Sequence, residues 1–142
     1  MIAVLDASVI VKWFLGDAQD EPHAAEAIAV LRGIDAGRVR MVQPPHFLAE
    51  TAAVLARVQP ATADEDLLLL QSIAWEVAEW PWIYSTALDL SIRLRHHLFD
   101  TLYHATAMHH DDAVLVTSDE VYYDKARGEG RITRLRDFQP QS

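Results

Sequence analysis

The sequence predicts an α/β protein built on a mainly parallel sheet. Ile2–Leu5 and Ala113–Thr117 are continuous apolar runs, the pattern of strands covered on both faces. The segments around them carry helix start and stop signals, and strands alternating with helices indicate a parallel sheet.

The elements follow in order. Ser8 is placed to cap a short helix through Leu15, with Gly16 as its stop. Pro22 stands at the start of a second helix running to Ala36, with Gly37 after it. Arg40–Gln43 is a further strand candidate. Pro45 starts a third helix that reaches Val58 before Gln59-Pro60. Thr62-Ala63-Asp64-Glu65 is a capping box for a fourth, with Leu67, Leu70, Ile73 and Val77 as its apolar stripe. Trp82–Tyr84 is a strand candidate, and Thr86 can cap a fifth helix ending near His96. A sixth helix runs from Asp100 to about His110, a short seventh comes after Asp119, and Arg131–Leu135 is the last strand candidate.

A chain of 142 residues fits one domain over 1–142, and 51% hydrophobic residues supply an ordinary core. With no cysteine, disulfide frameworks, thiolate metal sites and cysteine nucleophiles are excluded together. The apolar start Met1–Leu5 is too short for a signal peptide, and no stretch approaches membrane-spanning length, so a soluble cytoplasmic protein with no membrane contact is expected. The net charge of −9 argues against holding nucleic acid by bulk electrostatics. The charge is uneven: from Asp124 onward the chain is +2, the rest −11. Lys125, Arg127, Arg131 and Arg134, with Arg136, form a basic strip that is equally readable as a phosphate contact or a solvated surface.

The chemistry lies in the carboxylates. Asp6 directly follows the first buried strand, and Asp119 follows the other after one residue. Ligands of open parallel sheets bind outside the carboxyl ends of the strands, where these two aspartates fall. Glu50 shares a helical stripe with Phe47 and Val54, and Asp100 opens a helix whose body, Leu102, Ala105 and Met108, reads as buried. Helix capping explains each aspartate singly. Jointly, four carboxylates at one sheet edge with no evident cation, Lys12 being the only lysine near Asp6, repel unless a metal joins them. Oxygen ligands select Mg²⁺ or Mn²⁺.

Four pieces in order carry a resemblance: Leu5-Asp6-Ala7-Ser8, Leu48-Ala49-Glu50, Phe99-Asp100-Thr101-Leu102-Tyr103 and Val116-Thr117-Ser118-Asp119. Together they span nearly the whole chain, which resembles the PIN-domain ribonucleases and, among them, the VapC toxins of toxin–antitoxin pairs. The third motif usually reads Tyr-Asp-Ala and here reads Phe-Asp-Thr. The resemblance implies an α/β/α three-layer sandwich and a metal site of Asp6, Glu50, Asp100 and Asp119, supported by the hydroxyls of Ser8 and Thr117. It also implies metal-dependent hydrolysis of RNA leaving a 5′-phosphate, a small antitoxin partner and a homodimer. The basic strip would then supply attraction for RNA. The reading from another class is a PIN-like module that binds protein or RNA without cutting.

Other chemistries lack their residues. A haloacid-dehalogenase-type phosphatase needs a second aspartate where Ser8 stands, and a receiver domain needs one at the end of the middle strand, where Trp82–Tyr84 is followed by Ser85. No Gly-x-Ser-x-Gly elbow or Gly-rich phosphate loop occurs. Without a His-Glu-x-x-His motif, His96-His97, His104 and His109-His110 are expected as exposed helix-end residues rather than zinc ligands. Trp13, Phe14, Trp75, Trp80 and Trp82 are expected mainly in the core, with a partner face as the alternative.

Overall fold

The computed structural model describes residues 1–15 and 20–140. Five parallel strands, β1 (Ile2–Leu5), β2 (Arg40–Gln43), β3 (Glu76–Val77), β4 (Ala113–Thr117) and β5 (Ile132–Arg134), form one sheet in the order β3-β2-β1-β4-β5. Eight α-helices are present among the described residues: α1 (Ala7–Ile10), α2 (Lys12–Leu15), α3 (Ala24–Asp35), α4 (Phe47–Val58), α5 (Ala63–Ser72), α6 (Pro81–Leu94), α7 (Leu98–Met108) and α8 (Glu120–Ala126). The chain winds outward from β1 through β2 to β3, then crosses back to β4 and β5 on the other side. Right-handed crossovers in opposite directions put α1 to α5 on one face and α6 to α8 on the other. The α/β sandwich expected from the sequence is therefore present.

The core sits on both faces of the sheet. Ala3, Val4 and Leu5 of β1 are wholly buried, as are Leu115 and Val116 of β4 to within 1%. Phe47, Leu70 and Tyr103 pack with them, and Val42, Ile83, Ala87, Leu90, Leu102 and Ala105 form a second cluster beneath α6 and α7.

Three expectations are corrected. Trp82–Tyr84 is not a strand but the first turn of α6: Pro81 occupies the first helical position, where its missing N–H is no loss, and Trp80 before it is extended. The strand of this region is the two-residue β3, which is exposed and carries no apolar run to betray it. Val77 consequently belongs to β3, and α5 stops at Ser72. The first helix is broken into α1 and α2, and its cap is Asp6, whose Oδ1 accepts from the N–H of Ser8 at 3.3 Å; Ser8 lies inside the helix. The Gly16 stop lies outside the described residues.

No helix among the described residues is long and apolar enough to cross a membrane. Trp13 is buried and its Nε1 donates to Ala27 O at 2.8 Å, so it is core. Phe14 is half-buried against the core, and Trp75 packs edge-on against Phe47. Trp80 stacks on Trp82, which is 51% exposed.

Candidate active site

The register Leu5↔Val116 between β1 and β4 sets Asp6 opposite Thr117. Backbone bonding continues past the strand end, where Asp6 N–H donates to Val116 O at 3.1 Å. This is the point where the strand order reverses, the crevice in which open α/β sheets bind ligands. Thr117 Oγ1, fully buried, donates to Asp6 Oδ2 at 2.8 Å and accepts from Asp119 N–H at 3.0 Å. Ser8 Oγ accepts from Ser118 N–H at 3.1 Å and ties the turn after β1 to the turn after β4. Asp119 Oδ1 caps α8 by accepting from Tyr122 N–H at 3.0 Å. Asp6 and Asp119 are thus caps and members of the cluster at once, since each leaves lone pairs free for other partners.

A feature the sequence did not reveal fixes the other side of β1. The buried side chain of Gln43 accepts from Leu5 N–H at 2.7 Å and donates to Leu5 O at 2.8 Å. It replaces a ladder rung between β1 and β2 at the residue before Asp6. A glutamine 38 positions away in sequence has no local signal for this role.

Glu50 enters from the first turn of α4 and Asp100 from the first turn of α7. Asp6, Glu50 and Asp100 each bring a carboxylate oxygen within 4.8 Å of the other two. Asp100 also stands within that distance of Asp119 and His96, so it links the two groups. The structure therefore brings together all four carboxylates proposed from the sequence.

The electrostatics are those of crowded, desolvated acids. Burial pushes the Asp6 carboxyl up to about 7; the Thr117 hydrogen bond opposes this, while Asp100 and Glu50 add to it. Asp100 is also raised, mainly by burial and by Glu50 and Asp119, against the hydrogen bond from His96. Tyr103 is buried with its hydroxyl unpartnered, and burial beside Glu50, Asp6 and Asp100 drives its proton affinity up. A cluster of hard oxygen donors in which like charges resist joint ionisation fits a small divalent cation.

Lys12 does not neutralise the cluster: its ammonium binds Glu21 Oε1 at 2.7 Å and Pro22 O at 2.8 Å. Two histidines stand there instead. His46 Nε2 lies 3.5 Å from Glu50 Oε2 and 2.9 Å from Phe99 O. His96 Nε2 lies 2.8 Å from Asp100 Oδ2. Of the five histidines expected to be exposed at helix ends, only His97 is; His96, His109 and His110 are half-buried. His104 is wholly buried, between Tyr122 Oη at 2.9 Å and Gly130 O at 2.8 Å, and its burial lowers its proton affinity. The His96 side chain is only 12% exposed.

The basic strip is partly engaged with the protein itself. Lys125 Nζ donates to Arg95 O at 3.0 Å, Arg131 to the carbonyls of His110 and Ala113, and Arg134 to Asp137 Oδ2 at 2.7 Å. Arg127 is exposed. Beside the carboxylates runs an apolar groove of about 350 Å³, lined by Pro44, His46, Ile83, Leu98, Phe99 and Leu102.

Comparison with known proteins agrees with this architecture. No curated protein is significantly similar in sequence. Among solved structures, VapBC2 from Rickettsia felis, bound to a DNA fragment from its promoter, matches with a TM-score of 0.65 at 15% identity, over 94% of this chain and 98% of that one. PAE2754 from Pyrobaculum aerophilum matches with a TM-score of 0.65 at 18% identity, over 96% of this chain and 90% of that one. These likenesses establish the fold. The PIN domain profile matches residues 3–128, which takes in β1, the four carboxylates and the end of β4, and the chain belongs to the PIN domain family.

Proposed function

We propose that the protein is a VapC-like ribonuclease toxin that hydrolyses RNA phosphodiester bonds at a Mg²⁺ or Mn²⁺ site formed by Asp6, Glu50, Asp100 and Asp119. The observation that carries this reading is the convergence of Asp6, Glu50 and Asp100 oxygens within 4.8 Å, in a family of nucleases, at the crevice where ligands bind. A bound divalent cation would supply an activated water and neutralise charge on the phosphate.

The chain's own residues do the rest. Asp6 and Asp100 would hold the cation, with Thr117 and Ser8 fixing the two turns that present Asp6 and Asp119. Asp119 completes the acidic rim while capping α8. Glu50 orients the attacking water and takes its proton. Arg134, level with Thr117 at the carboxyl end of the sheet, and Lys125 beside His96 would supply positive charge for the RNA backbone, with the exposed Arg127; Arg131, bonded to the carbonyls of His110 and Ala113 at the amino end of β4, lies at the opposite edge of the sheet. An antitoxin segment would occupy the apolar groove beside the site, a reading supported by the likeness in fold to VapBC2.

Growth and RNA integrity test this reading together. Expression of the wild-type chain alone should arrest bacterial growth and fragment cellular RNA, and Asp100→Asn should abolish both at matched protein levels. Equal growth and intact RNA in the two strains would favour a binding module without activity.

A further inference from the structure

His96 stands in the turn between α6 and α7, and everything around it fixes its ring. Arg95 closes α6 in the left-handed region at φ 52°, an uncommon conformation for a residue with a side chain. This reversal is held by Ser91, whose carbonyl accepts from His96 N–H at 3.1 Å and whose hydroxyl donates to His96 O. The Tyr122 ring packs against the imidazole with centroids 4.7 Å apart. Lys125 reaches over from α8, donates to Arg95 O at 3.0 Å and comes within 3.3 Å of His96 Nδ1. On the opposite edge, Nε2 meets Asp100 Oδ2 at 2.8 Å.

An ammonium is a donor only, so Nδ1 beside it must accept. A neutral imidazole that accepts at Nδ1 carries its proton on Nε2. We propose that His96 is a positioning residue: Lys125 fixes the Nε2–H tautomer, and the ring then holds Asp100 by Oδ2, leaving Oδ1 free for the cation. The role rests on Asp100 being a ligand of the site proposed above.

The competing role is that His96 is itself a ligand, because one of its ring nitrogens lies within 4.8 Å of carboxylate oxygens of Asp100 and Asp119, and Nε2 is the one that faces Asp100. Ligation through Nε2 would require the proton on Nδ1. That N–H would then face the Lys125 ammonium, donor against donor, whereas a ligating histidine ordinarily gives its second N–H to an acceptor. The geometry favours the hydrogen-bonding role. It also gives Lys125 a place inside the site's support.

The test has two arms. In the metal-free protein at pH 8, long-range ¹H–¹⁵N correlation of the histidine rings should show His96 as the Nε2–H tautomer, and Lys125→Met should mix the tautomers. An Nδ1–H ring in the wild type overturns the proposal. In the second arm, Mn²⁺ binding is titrated by the electron paramagnetic resonance of the free ion. His96→Leu should weaken binding by roughly 10- to 100-fold, the usual effect of losing a partner that orients a ligand. His96→Gln, whose amide can still donate to Asp100, should recover most of it. Pulsed spectra of the wild-type Mn²⁺ complex should show no directly bound nitrogen. A bound nitrogen that vanishes in His96→Gln makes His96 a ligand and overturns the proposal, as does unchanged affinity in His96→Leu. If the wild type shows the Nε2–H tautomer but binds no Mn²⁺, the metal reading itself fails, and the positioning role with it.

Discussion

Thr117 Oγ1 donates to Asp6 Oδ2 at 2.8 Å across 111 residues of sequence, and the same oxygen accepts from the N–H of Asp119. One buried hydroxyl therefore ties the carboxylate of Asp6 to the backbone of Asp119 at the ends of the two central strands. Thr117→Val keeps the shape and removes both bonds. Stability should fall by about 1–3 kcal/mol, the penalty for leaving a buried polar group unsatisfied, measured by urea unfolding. Thr117→Ser should restore most of it. Loss of the donor should also raise Asp6 further, visible in a ¹³C titration of its carboxyl.

The raised carboxyls set the pH dependence of the metal-free protein. Asp6 titrates at about 7 when folded, against an ordinary value of 3.8. The folded state thus binds more protons than the unfolded chain between these values. The group's contribution to stability is complete below the unfolded value and is lost as pH rises through the folded one. Asp100 is shifted in the same direction. In EDTA, Asp6→Asn should be less pH-dependent than the wild type between about pH 4 and 7 and more stable above that window, by thermal unfolding. Excess Mg²⁺ should stabilise the wild type by mass action and the variant much less. A wild type that gains stability over this window relative to Asp6→Asn would contradict the buried, crowded cluster.

Gln43 offers a separate test of how the site is held. Gln43→Leu leaves the N–H and C=O of Leu5 without their side-chain partners in a buried position. Each orphaned group costs about 1–3 kcal/mol, and the damage falls on the residue before Asp6. Unfolding measurements should show the loss, and hydrogen exchange at the Leu5 amide should accelerate more than at Val4.

The tryptophans should divide. Trp13→Ala removes a buried ring and its bond to Ala27 O, a truncation of about 3–5 kcal/mol that should lower the melting temperature strongly. Trp82→Ala acts at a half-exposed ring and should stay within about 0.5 kcal/mol, as surface changes usually do. A change in sedimentation behaviour on Trp82→Ala would mark that face as an interface between copies.

The strand-end aspartates were legible because buried parallel strands are continuous apolar runs. Ile2–Leu5 and Ala113–Thr117 mark themselves in this way, and with them the positions just past their carboxyl ends. Arg40–Gln43 was legible as a strand, but not the use made of its last side chain. Gln43 and Tyr103 owe their places to packing between distant segments, which composition and periodicity do not encode, whereas His46 and His96 stand four residues before Glu50 and Asp100, a spacing that the sequence does display. Two exposed residues hold no pattern, which hides β3, and the aromatic stretch at the start of α6 looks like a strand although Pro81 fixes a helix there. The polar ring of His104 carries no signal in the sequence of its buried place between Tyr122 and Gly130.

The four-carboxylate metal site is tested at its reaction by RNA cleavage with the purified protein. A structured RNA is incubated with wild type, Asp6→Asn and Asp100→Asn, each in Mg²⁺, in Mn²⁺ and in EDTA, and the products are resolved and their ends assayed. The wild type should cut only with a divalent cation and leave products with 5′-phosphate ends, and both variants should lose activity. Cutting that persists in EDTA, or full activity in folded Asp6→Asn, would contradict the four-carboxylate metal site.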